Sequence, residues 1–238
     1  MKTEKLEKLE RLYEGKAKIA YSTADPEVLI FEFKDDATAF DGKKRGRIQD
    51  KGRINAQISA KLFSLLEEGG IRTHFRGLVG ERDMLALRLE MIPFEVVVRN
   101  VAAGSLSKRL GIQEGKRLDF PVLEFYYKSD ELGDPMINAY HIRALKLASE
   151  EEVREIEGIA LLVNEKLSRH LAERGLELVD FKLEFGRKDG QIYLGDEISP
   201  DTCRLWDIRT GEKLDKDRFR RDLGGVEEAY QEVLARLG

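Results

Sequence analysis

Hydrophobic residues recur at two spacings along the chain, and each spacing predicts its own kind of element. In EVLIFEFK, residues 27–34, hydrophobic residues recur at alternate positions such as Val28 and Ile30, which predicts a strand. In 53–70 they recur every three or four positions, which predicts a helix that ends at Gly69. Helical spacing returns in 151–175 and in 226–238. The mixture predicts an α+β chain. The apolar stripe of the first helix consists of Ile54, Ile58, Leu62 and Leu65.

Two further segments bear on how the chain is divided. Residues 35–52 carry many charges and glycines without periodicity, so we expect a mobile loop there. Residues 83–100 are rich in strand-forming types but contain Pro93, which we expect to break the strand. We therefore place the boundary between two lobes close to this proline, at 1–90 and 91–238.

The most informative stretch begins with LVDFKLEFG, residues 178–186. Alternate side chains of a strand share a face, so this stretch predicts one apolar face and one charged face. An Asp189-Gly190 pair then predicts a two-residue hairpin turn that sets Phe185 opposite Leu194. The apolar face would carry Val179, Phe181, Leu183 and Phe185, and the charged face Asp180, Lys182 and Glu184.

The hairpin register raises a problem at Asp196. Regular pairing would place its carboxylate on the apolar face, where a lone charge is unfavourable. Gly195 precedes it, and we expect a bulge at this glycine that turns Asp196 toward Glu184. Two facing carboxylates form a good Mg²⁺ site, with Lys182 offsetting substrate charge. A surface ion-pair cluster explains the same residues equally well.

The segment GKAKIAY, residues 15–21, carries Lys16 and Lys18 at alternate positions. One interpretation is a strand with a solvated lysine face. The other is a strand that directs two cations at a phosphate chain. The residues alone leave both open.

A possible anion site lies in VVVRNVAAGSLSKRLG, residues 96–111. An apolar strand ends at Arg99, and Ser105 follows at the predicted start of a helix, whose free N–H groups attract anions. An ordinary helix cap explains Ser105 as well. Arg204 lies on a distant segment, and an ordinary surface position explains it as well. Because we find no local structural need that links the three residues, we expect a bound phosphate to link them.

Composition narrows the class of protein. The 238 residues are 42% hydrophobic and 36% charged, which is typical of a globular chain. A net charge of −4 argues against general nucleic-acid binding. The single cysteine, Cys203, favours a reducing cytoplasm, and we expect neither a signal peptide nor a membrane span. The charged start, 1–12, predicts a short amphipathic helix.

Six segments occur in the order of a known family. They are LYEGKAKIAY, VVVRNVAAGSLSKRLG, DPMIN, LVDFKLEFG, GDEISPD and RLWD. The ordered set resembles the phosphoribosylaminoimidazole-succinocarboxamide (SAICAR) synthase family, from about Leu12 to the end of the chain. The resemblance implies a two-lobed α+β fold with antiparallel sheets, related to ATP-grasp enzymes, with the nucleotide in the cleft between the lobes.

The resemblance also implies an activity and its partners. Members of the family join the carboxylate of carboxyaminoimidazole ribonucleotide (CAIR) to the amine of L-aspartate and split ATP to ADP and phosphate. Mg²⁺ is the implied cofactor, and a cytoplasmic homodimer is the implied assembly. No nucleic acid or membrane partner is expected.

Roles for individual residues follow from the same resemblance. The residues that match nucleotide-binding positions are Gly15, Lys16, Ala17, Lys18, Glu90, Met91 and Lys128. Those that match the metal ligands are Glu184 and Asp196. The CAIR phosphate site is matched by Arg99, Ser105 and Arg204. Asp180 and Lys182 match residues at the reacting end of CAIR, where catalysis takes place.

Two other classes of protein are alternatives to this family. A kinase could use a similar small lobe, but the sequence has no G-x-G-x-x-G, H-R-D, D-F-G or Walker A motif. A nucleotide sensor without catalysis is expected to lose Glu184 or Asp196 while keeping the segment from Gly15 to Lys18. This chain has all of these residues, which favours an enzyme.

Overall fold

Antiparallel strands dominate the structure, a computed structural model that describes residues 6–39 and 43–238. The α+β class predicted from the sequence is confirmed. The strands are β1 (Arg11–Glu14), β2 (Lys18–Ser22), β3 (Val28–Phe33), β4 (Asp36–Ala39), β5 (Lys44–Arg47), β6 (Phe75–Leu78), β7 (Asp83–Leu87), β8 (Glu90–Val101), β9 (Arg117–Tyr127), β10 (Met136–Ile137), β11 (Leu176–Lys188), β12 (Gln191–Leu194) and β13 (Cys203–Asp207). The helices are α1 (Lys51–Glu68), α2 (Gly104–Leu110), α3 (Ala139–Ala144), α4 (Glu150–Ala172), α5 (Asp217–Arg220) and α6 (Val226–Arg236), and a 3₁₀ turn lies at Asp130–Leu132.

The strands form two larger sheets and a separate hairpin. The first sheet has the order β1-β2-β3-β7-β6. The second has the order β10-β9-β8-β11-β12, with β13 also paired to β11, and β4 and β5 form the hairpin. All pairings between these strands are antiparallel, as expected. The sheets meet at Thr73, which forms an isolated parallel bridge with Leu194.

Helices α1 and α4 supply much of the hydrophobic core. Helix α1 packs on β3, β6 and β7 of the first sheet, whereas α4 packs on β8 and β11 of the second. The predicted stripe of α1 is buried, except that Leu66 rather than Leu65 completes it, and Gly69 ends the helix as predicted. One continuous core includes residues from both sheets, while β8 begins close to the predicted boundary. The division into lobes at 1–90 and 91–238 stays a prediction.

Two local predictions are wrong. The expected loop at 35–52 contains the β4–β5 hairpin and the start of α1, and the hairpin buries Ala37 and Ala39. Small alanines between polar residues give a weak hydrophobic signal, so the pattern of hydrophobic residues did not predict β4. The expected helix in 1–12 is absent from the described residues 6–12, where β1 begins at Arg11, and residues 1–5 lie outside the description.

Pro93 does not break the strand as predicted. It lies inside β8, where Met91 pairs with Gly186 and Glu95 pairs with Glu184. Four positions along β8 therefore span two along β11, and the proline lies within this irregularity. A proline is tolerated there because an interrupted ladder does not require its missing N–H group.

None of the helices in the described part of the chain has the length and hydropathy of a membrane-spanning segment.

Candidate active site

The charged face of β11 is the framework of the site. As predicted, the apolar residues of this strand are buried on one side, and Asp180, Lys182 and Glu184 share the other. The charged face is not a solvated surface, because Asp180 and Glu184 are only 3% and 6% exposed. Buried charges are stable only with partners, so the question becomes which groups pair with them.

The hairpin that follows has the predicted turn and register. Asp189 and Gly190 adopt positive φ values of 52° and 71°, which the two central residues of this kind of hairpin turn require. Phe185 lies opposite Leu194, as the sequence predicted.

The predicted bulge at Gly195 is wrong, although its consequence is right. The N–H of Gly195 donates to the carbonyl of Glu184 at 2.9 Å, so this glycine continues the regular register. The chain turns one residue later, at Asp196, which has a left-handed φ of 59°. That conformation is uncommon outside glycine but is tolerated by aspartate. It brings the Asp196 carboxylate to the charged face of β11.

Asp196 joins a lysine–carboxylate cluster, which we define as Lys18, Lys128, Lys182, Glu184 and Asp196. The ammonium of Lys182 lies 2.5 Å from Glu184 and 3.5 Å from Asp196, so both carboxylates contact one cation. Lys18 lies 2.5 Å from the other oxygen of Asp196, and Lys128 pairs with Glu184. The predicted pair of carboxylates is therefore brought together.

The donor set of this cluster fits Mg²⁺. Burial and the charge of Asp196 would raise the pKa of Glu184, but Lys182 and Lys128 lower it. Burial likewise opposes ionisation of Asp196, and Lys18 and Lys182 bring its pKa well below the usual range. Both groups are therefore carboxylates at neutral pH. Among the described residues no group of three acidic, histidine or cysteine side chains could hold a metal. Two carboxylates suit an ion that takes its remaining ligands from water and phosphate.

The segment from Gly15 to Lys18 forms the turn between β1 and β2, beside this cluster. The N–H of Gly15 donates to the carbonyl of Lys18 at 2.8 Å, and the carbonyl of Ala17 accepts from Lys34. Lys16 lies in the turn, 52% exposed, and pairs with Asp130 at 2.7 Å. Lys18 starts β2, and its side chain is only 13% exposed. The solvated-face interpretation therefore fails for Lys18.

The other two predicted nucleotide residues lie at the start of β8. The Met91 side chain approaches the cluster, since a Cβ atom added to Gly195 would lie 3.5 Å from its Cε. The carboxylate of Glu90 is exposed and pairs with Arg187 at 3.6 Å. The structure thus brings Met91 to the site but directs the side chain of Glu90 elsewhere.

A second group of charges, the arginine cluster, consists of Arg99, Ser105, Asp180 and Arg204. The guanidinium of Arg99 donates to Asp180 at 2.7 Å and to Ser105 at 2.9 Å. Arg204 donates to both oxygens of Asp180, at 2.8 and 3.0 Å. The premise that no structural need links these residues is wrong, because Asp180 links the two arginines. The phosphate at Arg99, Ser105 and Arg204 stays a prediction. Burial would lower the pKa of Arg204, but Asp180 and Asp217 raise it.

A cavity of about 160 Å³ lies against the arginine cluster and reaches Lys182 of the lysine–carboxylate cluster. It contains four of the predicted residues and several that the sequence analysis missed, notably Arg220 and Asp201. The basic run RFRR at 218–221 was the available signal for Arg220, but such runs are usually solvated. The lining residues are Val97, Arg99, Asp180, Phe181, Lys182, Asp201, Thr202, Cys203, Arg204 and Arg220.

Fold and site together define a class: two-sheet α+β proteins with a cationic cavity next to paired acidic residues. A family model described as SAICAR synthetase matches residues 11–237. The phosphoribosylaminoimidazole-succinocarboxamide synthase of Coprothermobacter proteolyticus is 61% identical, over 98% of this chain and 99% of its own. That of Desulfitobacterium hafniense is 58% identical, over 98% of each chain.

Two solved structures are also similar to this chain. The crystal structure of phosphoribosylaminoimidazole-succinocarboxamide synthase from Ehrlichia chaffeensis superposes with a TM-score of 0.94 and 47% identity, covering 96% of this chain and 98% of the other. A SAICAR synthetase in complex with ADP has a TM-score of 0.92 and 56% identity, covering 94% and 96%. The chain belongs to the SAICAR synthetase family.

Proposed function

We propose that this protein is an ATP-dependent ligase of purine biosynthesis that joins the carboxylate of CAIR to the amine of L-aspartate, giving SAICAR, ADP and phosphate. One observation carries the proposal: β11 places the arginine cluster and the lysine–carboxylate cluster on one face, and Lys182 of the second cluster lines the cavity beside the first. The names of the relatives support the activity, and the ADP held by one solved relative supports nucleotide use.

The nucleotide is proposed to bind at the lysine–carboxylate cluster, in a cleft between the two sheets. Lys18 and Lys128 would contact its phosphates, with the turn of Gly15, Lys16 and Ala17 covering them. Met91 would pack against adenine, and the backbone rather than the side chain of Glu90 would contact it. Glu184 and Asp196 would hold Mg²⁺, which supplies positive charge to the phosphates.

CAIR is proposed to bind in the cavity with its phosphate at Arg99, Ser105 and Arg204. Planar guanidinium groups suit this task because each can donate two hydrogen bonds to one phosphate. Asp180 already accepts from both arginines, so we assign it to orienting them rather than to removing a proton. Lys182 is the member of the lysine–carboxylate cluster that lines the cavity, and it would face the reacting carboxylate.

The reaction then needs positioning more than a covalent nucleophile. An oxygen of the CAIR carboxylate attacks the γ-phosphorus of ATP and ADP leaves, which forms an acyl phosphate. The amine of aspartate attacks the acyl carbon, phosphate leaves, and the amine loses a proton. Lys18 and Lys182 are proposed to neutralise the charge that moves during the first step, since the protein contributes orientation and electrostatic stabilisation to such transfers.

The proposed assembly and location follow from family membership. We propose a homodimer in the cytoplasm. Light scattering coupled to size-exclusion chromatography tests the assembly: a mass near twice 27.2 kDa is expected, and a mass near 27.2 kDa would contradict it.

An omission assay tests the activity. Purified protein is incubated with CAIR, ATP, Mg²⁺ and L-aspartate, and SAICAR and ADP are measured by mass spectrometry. SAICAR should require all four components. A kinase would form a stable phosphorylated product without aspartate, and a sensor would form no product. Either result would contradict the proposal.

A further inference from the structure

The first residue of helix α2, Gly104, lies directly against the guanidinium group of Arg204. A Cβ atom added to this glycine would lie 2.7 Å from Cζ and 2.9 Å from Nη1 of Arg204, and closer still to Nη2. All three separations are well inside the normal distance between non-bonded heavy atoms. The proposed function gives Gly104 no role, yet no residue with a side chain fits here while Arg204 stays in place.

Backbone conformation alone does not explain this glycine. Gly104 has a left-handed φ of 54°, but asparagine and aspartate tolerate that conformation, and Asp50 adopts it with a φ of 58°. Gly111 provides a comparison at the other end of α2, with a φ of 66°. A Cβ atom added there would meet no heavy atom of the described chain within 4 Å, its chain neighbours excepted. The two glycines therefore share a backbone conformation and differ in their proximity to Arg204.

The guanidinium group of Arg204 is held from its other sides by two buried carboxylates. Its Nε donates to Asp217 at 2.9 Å, and its Nη1 donates to both oxygens of Asp180, at 2.8 and 3.0 Å. Asp180 and Asp217 are only 3% and 1% exposed. Because these partners belong to β11 and α5, the guanidinium group cannot move away from Gly104 without weakening a buried ion pair.

The third nitrogen of Arg204, Nη2, is the one that faces Gly104. It donates to none of the described residues, whereas the other two nitrogens are engaged by carboxylates. Ser105 follows Gly104 in the chain, and its hydroxyl accepts from Arg99 at 2.9 Å. Arg204 also lines the cavity. Nη2 is therefore the donor of Arg204 that remains for an anion in the cavity.

We infer that Gly104 is a positioning residue for CAIR: its lack of a side chain lets the guanidinium group of Arg204 lie in the plane set by Asp180 and Asp217, with Nη2 left for the substrate phosphate. The inference rests on the proposed function, because that function places the CAIR phosphate at Arg204. A side chain at this position would displace the guanidinium group, which is the movable end of a long side chain, rather than the backbone of α2.

The test compares Gly104→Asn with Gly111→Asn in the full-length protein. Asparagine tolerates the left-handed conformation at both positions, so the pair separates proximity to Arg204 from backbone strain. A third protein carries Gly104→Asn together with Arg204→Ala, and Arg204→Ala alone is its reference. Steady-state assays give the KM for CAIR and the KM for ATP, and thermal unfolding gives Tm.

Loss of a hydrogen bond from a charged donor typically weakens binding by ~10- to 150-fold. We expect Gly104→Asn to raise the KM for CAIR by at least ~10-fold and the KM for ATP by less than ~2-fold. Gly111→Asn should leave both values within ~2-fold of the wild type. In the Arg204→Ala background, Gly104→Asn should change the KM for CAIR by less than ~2-fold, because the group that it displaces is already gone.

Equal KM values for CAIR in Gly104→Asn and Gly111→Asn would overturn the inference. So would a full effect of Gly104→Asn in the Arg204→Ala background, which would show that Gly104 acts on CAIR without Arg204. If Gly104→Asn alone does not fold, the double variant decides. It should then unfold at the Tm of Arg204→Ala, and a double variant that also fails to fold would contradict the inference.

NMR spectroscopy separates this inference from the proposed function. In ¹⁵N-labelled protein, the Nε–H signal of Arg204 is identified by its loss in Arg204→Ala. The signal should shift in Gly104→Asn and stay in place in Gly111→Asn, and an unshifted signal in both would overturn the inference. Failure of the proposed function looks different, because the wild type would then make no SAICAR, while the NMR comparison would still decide whether Gly104 positions Arg204.

Discussion

The two ends of the charged face of β11 contain similar charges that are paired in opposite ways. At Asp180, one carboxylate is shared by two guanidinium groups, those of Arg99 and Arg204. At Glu184, three carboxylates share the ammonium of Lys182, those of Glu95, Glu184 and Asp196. The first arrangement has donors in excess and suits an anion. The second combines two adjacent carboxylates, which suit a cation, with lysines that suit the phosphates the cation brings with it.

The difference shows how one strand can serve two substrates. Residues 180 and 184 are four positions apart on one face, which is about 13 Å along a strand. A nucleotide at one end and a phosphate-bearing substrate at the other can then meet beside Lys182, which lies between Asp180 and Glu184 on the same face. The following predictions test whether the ends act separately, from the largest expected effect to the smallest.

Asp196→Asn should have the largest effect. It removes one of three carboxylates around Lys182 while keeping the size of the side chain, and asparagine tolerates the left-handed φ of 59° at this position. We expect kcat to fall by ~100-fold or more, because the affected group is assigned to the metal. Asp189→Asn at the exposed hairpin tip is the control. Turnover within a few-fold of wild type would refute the metal assignment.

Arg204→Ala should weaken the use of CAIR and leave the use of ATP nearly unchanged. Loss of one charged contact typically costs about 2–4 kcal/mol, so we expect the KM for CAIR to rise ~30- to 700-fold with little change for ATP. Exposed Arg209→Ala is the control.

Arg99→Ala should raise the same KM and also destabilise the fold, because Glu124 and Asp180 lose a buried partner. Kinetics with each substrate varied in turn provide the check.

Replacing Lys16 and replacing Lys18 should have different effects on the KM for ATP. Lys18 is buried against Asp196 and Glu197, whereas Lys16 pairs with Asp130 in an exposed position. We expect Lys18→Met to raise the KM for ATP by ~10-fold or more and Lys16→Met by less than ~3-fold, since exposed ion pairs are screened by water. Equal effects would show that exposure does not set their importance.

The smallest effect concerns acid stability at the arginine end. Burial would raise the pKa of Asp217, but Arg204 and Arg220 lower it to about 2 from an ordinary 3.8. A lowered carboxylate pKa contributes stability above pH 3.8 that is lost as the pH falls toward 2. Asp217→Asn should therefore cost about 1–2 kcal/mol at pH 7. Urea unfolding at several pH values should show this difference shrinking below pH 4; a constant difference would contradict the ion pairing.

Sequence patterns predicted which side chains share the charged face of β11 but not which residues pair with those side chains. Alternation fixes which side chains share a side, so Asp180, Lys182 and Glu184 were found from period two alone. Their partners come from distant segments, and no local pattern reveals that Asp180 bridges Arg99 and Arg204. Contacts between the site residues were therefore accessible only in the folded structure.

Local geometry explains the remaining differences. The turn at Asp196 was placed one residue early, because glycine is the usual signal for such a bend and Gly195 precedes it. The strands that contain Pro93 and Ala37 were not predicted correctly. Proline inside a strand and small buried alanines are both uncommon in strands, so neither indicated one.

Binding calorimetry on two variants tests most directly whether the ends of β11 serve separate substrates. Mg²⁺·ADP and CAIR are each titrated into Arg204→Ala and Lys18→Met. Arg204→Ala should lose CAIR affinity by at least ~30-fold while nucleotide affinity stays within ~3-fold, and Lys18→Met should show the reverse preference. If Arg204→Ala instead weakens nucleotide binding and leaves CAIR binding intact, the two substrates have been placed at the wrong ends of the strand.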